Sequence, residues 1–121
     1  MNLVDFLEKN ARLYPQDIAF VEVRPLTKAR SHIDWDRFNE RTNTLANALM
    51  KRGIKKGDKV FLLGRNSIHW LESYFAVMKT GAWVVPLNFR FTNEDVQNCA
   101  GVAEPSAFIL DEEYVERTVQ I

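Results

Sequence analysis

Apolar residues near the start of the chain recur at spacings of three and four, which is the period of one helix face. These residues are Leu3, Phe6, Leu7, Ala11 and Tyr14. Asn2 is a candidate N-cap and Pro15 a stop signal. Two strand-like segments follow, 18–23 (IAFVEV) and 32–35, separated by a polar connection that suits a hairpin loop. The pattern predicts a helix followed by a β-hairpin.

A second, longer helix is predicted from Asp34 onward, because apolar residues again lie near one stripe. Asp34 is a candidate cap, and Gly53 stands where a helix takes a left-handed residue at its end. The next apolar run, 60–63, has no polar residue in alternate positions. Such a run is typical of a strand that is buried on both faces of a parallel sheet.

Two more helix and strand pairs follow the run at 60–63. Asn66 and Ser67 are cap candidates for a helix that Gly81 closes, and residues 92–95 carry a start signal of the Ser/Thr-x-x-acid type for a short helix reaching Cys99. The strands after these two helices are predicted in the stretch GAWVVPLNFR (81–90) and over Ala107 to Leu110.

Successive strands of this second part begin about 23 residues apart, a spacing typical of crossover units between parallel strands. The predicted class is therefore α/β, with a parallel βαβαβ sheet preceded by a helix, a short hairpin and a helix. The chain ends in charged residues without a clear final element, and we expect it to be incomplete.

Charge and cysteine content exclude several classes of function. Sixteen Lys and Arg residues balance sixteen Asp and Glu residues, so no broad field favours nucleic acid or an anionic membrane. Cys99 is the single cysteine and cannot form an intramolecular disulfide, and with His32 and His69 it lacks zinc-site spacing. We expect no metal site.

The N-terminal region does not have the pattern of a targeting segment. Asp5 and Glu8 interrupt its apolar residues, which argues against a signal peptide, and no apolar run approaches the ~20 residues of a membrane span. We therefore predict a cytoplasmic protein with no membrane span.

Ligands of open parallel sheets bind beyond the carboxyl ends of the strands. Three predicted loops lie there: 64–67, 88–92 and 111–113. The first has one glycine and no phosphate-loop motif, which favours an ordinary capped turn. The second places Arg90 beside a helix N-terminus, where it can meet an anionic group or pair with an acidic neighbour. The third is acidic and would repel phosphate.

The chain shows no constellation of catalytic residues. It has no GxSxG motif and no Ser, His and acid set. His69 is predicted to be structural, His32 lies at a strand start with no partner in view, and neither is a credible base. Trp35, Trp70 and Trp83 lie on predicted elements, so core packing is favoured over base stacking. We therefore predict no catalytic residue in this chain.

The stretch ESYFAVMKTGAWVVPLNFRFTNEDV (72–96) resembles the early region of adenylate-forming acyl-CoA synthetases, the AMP-binding superfamily. The segment HIDWDRFNERTNTLANALMKRGIKKGDKV (32–60) resembles the second helix and the next strand of these enzymes, and 2–15 resembles their first helix. The resemblance implies that residues 1–121 are the first part of a large N-terminal domain, without its later parts and without the C-terminal domain.

The family reaction joins a carboxylic acid to ATP, giving acyl-AMP and pyrophosphate, and coenzyme A then displaces AMP. The resemblance implies ATP, Mg²⁺ and coenzyme A as cofactors of a parent enzyme. The phosphate loop ending in Pro-Lys-Gly, the ribose-binding Asp and the catalytic Lys belong to later parts of such enzymes and do not occur here. We therefore expect this segment to be an inactive scaffold that binds none of these cofactors alone.

In relatives, the loop after the Pro-Leu-Asn strand lies on the side from which coenzyme A approaches. The resemblance thus implies that Asn88 and Arg90 line this entry, with Arg90 meeting a phosphate of the coenzyme. The alternative interpretation is structural: Asn88 shapes the strand exit and Arg90 pairs with an acidic side chain.

Two other functions remain as alternatives to the enzyme fragment. One is a stand-alone α/β binding or assembly module without catalysis, and the other is an unrelated nucleotide-binding domain, which would bind ATP by itself. Because the rest of a parent domain would cover the sheet edge and helix faces, we expect the isolated segment to self-associate.

Overall fold

A computed structural model of the chain describes residues 2–24, 26–88 and 90–110. Its elements follow the predicted order of helix, hairpin, helix and βαβαβ unit. They are α1 (Leu3–Leu13), β1 (Ile18–Val23), β2 (Arg30–Asp34), α2 (Trp35–Lys51), β3 (Lys59–Leu63), α3 (Ile68–Lys79), β4 (Trp83–Leu87), α4 (Asn93–Ala103) and β5 (Ala107–Leu110).

The described residues form a two-stranded sheet and a three-stranded sheet. β1 and β2 pair antiparallel, with a β-bulge between Ile18 and Phe20. In the larger sheet, β3 is the central strand and pairs in parallel with β4 on one side and β5 on the other. The α/β class and the parallel sheet are therefore confirmed.

The central strand is buried because helices cover both faces of the sheet. On one face, Val60 of β3 packs with Val77 of α3 and with Ala82. On the other face, Phe61 and Leu63 pack in one cluster with Val96 of α4. This alternation explains why the run at 60–63 contains no polar residue.

A second layer of helices and the hairpin cover the outer side of α3. Leu7 of α1, Ile33 of β2, Phe38 of α2 and Phe75 of α3 form its buried cluster. The rings of Phe38 and Phe75 meet edge to face, with centroids 5.4 Å apart. The hairpin is thereby held beside α2 and α3, near the loop that follows β3.

Each helix begins at a residue whose side chain accepts a hydrogen bond from the backbone three residues later. These caps are Asn2, Asp34, Ser67 and Thr92. Each satisfies one of the amides that a helix start leaves without an intrahelical partner. All four were cap candidates from the sequence, and all four are confirmed.

Two expectations about this fold were wrong. α4 extends to Ala103 instead of stopping near Cys99, and it ends at Glu104, whose backbone is left-handed (φ +52°). Trp83 does not lie in the core, because its side chain is 68% exposed. It begins β4, an edge strand of the described sheet, so no neighbouring strand covers it. Trp35, in contrast, packs against Phe6 and Phe20 as expected.

Candidate functional site

The carboxyl ends of β3, β4 and β5 lie side by side at one edge of the sheet. Leu63 is in register with Leu87 on one side and with Leu110 on the other. The loops after β3 and β4 therefore leave the sheet together, as parallel topology requires. The third candidate loop, 111–113, lies outside the described residues.

The loop after β3 is a capped helix start. The Ser67 hydroxyl accepts a hydrogen bond from the Trp70 amide at 3.0 Å. The Ile68 amide donates to the Glu22 carboxylate, at 2.8 Å from Oε1. The capped turn favoured from the sequence is confirmed, and the amides of Ile68 and Trp70 bind the protein's own side chains.

Glu22 joins the hairpin to this edge of the sheet. It lies on β1, and its carboxylate also faces Arg24, with Nε 3.5 Å from Oε2. The amide of Ile68 lowers the pKa of Glu22 most, and Arg24 lowers it further. The role of Glu22 could not be predicted from the sequence, because its partner lies 46 positions away and no local motif marks the contact.

The loop after β4 holds both of the predicted coenzyme-proximal residues in one tight turn. The Asn88 side-chain oxygen accepts a hydrogen bond from the Arg90 amide at 2.9 Å. The Asn88 carbonyl accepts from Phe91 at 2.9 Å. Both residues are exposed, so the turn directs the chain out of β4 and into α4 and presents Arg90 at the surface.

α4 starts directly after this turn with a reciprocal cap. The Thr92 hydroxyl accepts from the Asp95 amide at 3.2 Å, and the Asp95 carboxylate accepts from the Thr92 amide at 3.0 Å. This capping box satisfies two amides and places a carboxylate at the helix start. Asp95 is close to Arg90 along the chain. An anion that binds the Arg90 guanidinium group would therefore approach a segment that also carries a carboxylate.

A charged cleft of about 260 Å³ lies between the hairpin, α2 and α3. At its base, Arg41 of α2 donates from Nε to Oε1 of the buried Glu72 of α3, at 2.9 Å. The hydrogen bond with Glu72 raises the pKa of Arg41. The exposed His69 lies beside this pair, with Nδ1 3.7 Å from the other Glu72 oxygen. Arg41 and Glu72 thus form an ion pair that links α2 to α3.

Among residues 2–24, 26–88 and 90–110, no group of three or more His, Cys, Asp or Glu side chains is placed to hold a metal ion. No helix in the described part of the chain is both long and apolar enough to cross a bilayer.

A family model described as AMP-binding enzyme matches residues 7–121 of the chain. Among curated relatives, a 3-oxocholest-4-en-26-oate–CoA ligase of Rhodococcus rhodochrous is 26% identical over all of this chain and 21% of its own length. A 4-hydroxybutyrate–CoA ligase of Metallosphaera sedula is 27% identical over 96% of this chain and 20% of its own. The chain spans about a fifth of the length of these relatives.

This chain is also similar to part of several solved structures. The N-terminal domain of FACL13 from Mycobacterium tuberculosis superposes with a TM-score of 0.85 at 27% identity, over all of this chain and 30% of that domain. A complex of the anthranilate CoA ligase AuaEII with anthranoyl-AMP superposes with a TM-score of 0.87 at 24% identity, over all of this chain and 22% of the enzyme. The second likeness shows a shared fold.

Proposed function

Because the chain belongs to the AMP-binding enzyme family, we propose that residues 1–121 are the first part of the large N-terminal domain of an ATP-dependent, AMP-forming acyl-CoA synthetase. The parent enzyme would convert a carboxylic acid, ATP and coenzyme A into an acyl-CoA, AMP and pyrophosphate. The family match over residues 7–121 carries this proposal. The relatives named as CoA ligases support coenzyme A as the acceptor.

Within the parent, we assign this chain a scaffolding role. Its central strand is buried on both faces, and its caps bind the amides at the starts of α3 and α4. These buried contacts and capped helix starts support a role in holding the sheet together. We propose that other parts of the parent bind ATP and Mg²⁺, which supply charge stabilisation for acyl-AMP formation, and that this segment is inactive alone.

The test compares the longest native polypeptide containing this chain with residues 1–121 alone. Each is incubated with ATP, Mg²⁺ and a panel of short-chain, long-chain and aromatic carboxylic acids, and AMP release is measured with and without coenzyme A. We expect the longer polypeptide to release AMP only when an acid is present, and residues 1–121 to release none. AMP release by residues 1–121 would contradict the scaffold role.

A longer polypeptide that is folded but inactive with every acid would contradict the enzyme proposal. A native chain that ends at residue 121 and binds a protein partner would favour the stand-alone module instead. ATP binding by residues 1–121 would favour an unrelated nucleotide-binding domain. We also propose that the protein is cytoplasmic, which cell fractionation tests.

We further propose that Asn88 and Arg90 line the entry of coenzyme A. The turn presents the Arg90 side chain at the surface, at the carboxyl end of β4, and Asn88 holds the Arg90 amide at 2.9 Å. A guanidinium group suits a phosphate because it donates two parallel hydrogen bonds. In this role, Arg90 would bind the coenzyme, and Asn88 would position Arg90.

The experiment is Arg90→Ala in the parent enzyme, with Arg12→Ala as a control because Arg12 is an exposed arginine on α1. We expect the KM for coenzyme A to rise about tenfold, the equivalent of one lost charge-assisted contact of about 1.4 kcal/mol, while the KM for ATP stays unchanged. An unchanged KM for coenzyme A would leave Arg90 with a structural role only.

A further inference from the structure

The charged cleft between the hairpin, α2 and α3 has more basic than acidic side chains, although the whole chain has a formal charge of zero. Its two carboxylates belong to Glu22 and Glu72. Even with its histidines neutral, three guanidinium groups line the cleft together with these two carboxylates. The basic side chains come from the hairpin and from both helices, and they are Arg24, His32, Arg37, Arg41 and His69.

Each carboxylate of the cleft faces an arginine through the Nε atom of that arginine. Arg41 donates from Nε to Oε1 of Glu72 at 2.9 Å, and Nε of Arg24 lies 3.5 Å from Oε2 of Glu22. A guanidinium group has five N–H donors, four of which are on its two terminal nitrogens. Because both contacts use Nε, they leave the terminal nitrogens of these arginines available for a further acceptor.

Arg37 supplies the positive charge that the two carboxylates of the cleft do not balance. It lies four residues before Arg41 on α2, and both line the cleft. Like charges at this spacing repel each other on a helix face, and an anion between them would relieve that repulsion. The ion-pair partner of Arg37 is the exposed Glu40, with Oε1 3.8 Å from Nη1. Exposed pairs of this kind are weak, so Arg37 can exchange Glu40 for another anion.

We propose that this cleft binds a small free anion of the phosphate class, held by the guanidinium groups of Arg37 and Arg41 and by the Ser31 hydroxyl. Guanidinium groups donate parallel hydrogen bonds to phosphate oxygens, and a hydroxyl group can donate one more. The cleft volume of about 260 Å³ lies below the ~300–1,000 Å³ of sites for drug-sized ligands. Inorganic phosphate or pyrophosphate therefore fits better than a whole nucleotide. This site goes beyond the proposed function and does not depend on it.

An NMR titration of the longest native polypeptide with pyrophosphate, at constant ionic strength, tests this site. The amide signals of Ser31 and His69 report on two sides of the cleft, so a nucleotide site elsewhere does not affect the measured Kd. We expect Arg37→Ala to raise this Kd about tenfold, because it removes a charge-assisted contact. Glu40→Gln should lower the Kd about threefold, because it removes the carboxylate that competes for Arg37. Arg12→Ala, at an exposed arginine of α1, is the matched control and should leave the Kd unchanged.

Three results would overturn the proposal. The first is a Kd that Arg37→Ala leaves unchanged, and the second is the absence of any shift of the Ser31 and His69 signals at millimolar pyrophosphate. The third is a shift caused by vesicles containing phosphatidic acid but not by pyrophosphate, because the ligand would then be a membrane surface. The titration contains no carboxylic acid substrate and no coenzyme A, so its result is independent of whether the protein releases AMP.

Discussion

At the scale of single residues, Glu22 is the side chain that connects the hairpin to the edge where ligands of such sheets bind. It accepts the amide of Ile68 at the start of α3 and faces Arg24. Both contacts favour the ionised carboxylate, which is why its pKa lies below the ordinary value. The carboxylate of Glu22 therefore helps to hold the loop after β3, although Glu22 is 46 positions away from Ile68 in the sequence.

Glu22→Gln tests this charge. We expect the variant to lose about 1 kcal/mol of unfolding free energy at pH 7, because the amide oxygen still accepts from Ile68 but carries no charge. The lowered pKa stabilises the folded state above the unfolded pKa of about 4.3, and this contribution is lost as the pH falls through the folded pKa. The difference from wild type should therefore shrink below pH 4.

Urea unfolding at pH 7 and pH 3 measures this difference. Glu40→Gln is the control, because Glu40 is an exposed carboxylate whose oxygen lies 3.8 Å from Arg37. We expect its effect to stay below about 0.5 kcal/mol at both pH values. A Glu22→Gln effect that is the same at pH 3 and pH 7 would contradict the role of the charge.

Two arginines of α2, Arg41 and Arg37, allow an ion pair with a buried carboxylate to be compared with an exposed ion pair. Glu72 is 8% exposed and bonds to Arg41, whereas Arg37 and its partner Glu40 are both more than half exposed. Arg41→Ala leaves the Glu72 charge without its guanidinium, and we expect a loss of about 2–3 kcal/mol in urea unfolding. Arg37→Ala should cost less than about 0.5 kcal/mol. Equal losses would show that burial of Glu72 does not matter.

At the scale of elements, local sequence signals predicted the structure well where the stabilising contact is itself local. Each helix is capped by a side chain that binds an amide three residues later, so the capping signal is contained in a short stretch of sequence. The four caps are Asn2, Asp34, Ser67 and Thr92. The strand at 107–110 and the burial of β3 also follow from apolar runs.

Features that depend on distant contacts could not be predicted in this way. The Glu22 contact and the Arg41–Glu72 tie join residues 46 and 31 positions apart. The exposure of Trp83 depends on the position of β4 at the side of the sheet, which its own sequence does not reveal. For the candidate site, the loop positions were predictable, but the backbone hydrogen bond between Arg90 and Asn88 required the structure.

Two glycines, Gly81 and Gly101, are expected to affect stability in opposite directions. Gly81 adopts a left-handed backbone conformation, whereas Gly101 lies within a helix. Gly81 ends α3 with φ +84°, and an added Cβ would lie 3.3 Å from the Cβ of Lys56. Gly101 lies inside α4 with open space around its Cα. We expect Gly81→Ala to lower the unfolding free energy by about 1–2 kcal/mol, and Gly101→Ala to raise it by about 0.5–1 kcal/mol.

Thermal or urea unfolding of the two variants gives the sign of each effect. A stabilising Gly81→Ala would contradict the left-handed turn between α3 and β4. A destabilising Gly101→Ala would show that α4 meets a neighbour on that side in solution.

At the scale of the whole molecule, the chain leaves many large apolar side chains at its surface. They include Trp83 at 68% exposure, Val102 at 87% and Leu3 at 52%. Leu3 and Trp83 also line an apolar groove of about 660 Å³ between the start of α1, the end of α3 and β4. Such surface is expected of a part that packs against more of its own domain.

We therefore predict that residues 1–121 self-associate when isolated. Sedimentation velocity over a range of micromolar concentrations should show a mass that rises with concentration, because apolar surface is removed from water on association. Trp83→Lys should weaken this association, whereas Lys9→Ala on the exposed side of α1 should not. A monomer at every concentration would mean that the exposed side chains are tolerated in water.

If this chain is one part of a longer adenylate-forming enzyme, as we propose, the native protein must be much heavier than the chain itself, and its mass can be measured. An antibody raised against residues 1–121 would detect the protein in its own cells, with mass spectrometry of the captured band as confirmation. We expect a band several times heavier than the 14.0 kDa of this chain. A band at 14.0 kDa would contradict it and would favour a stand-alone module.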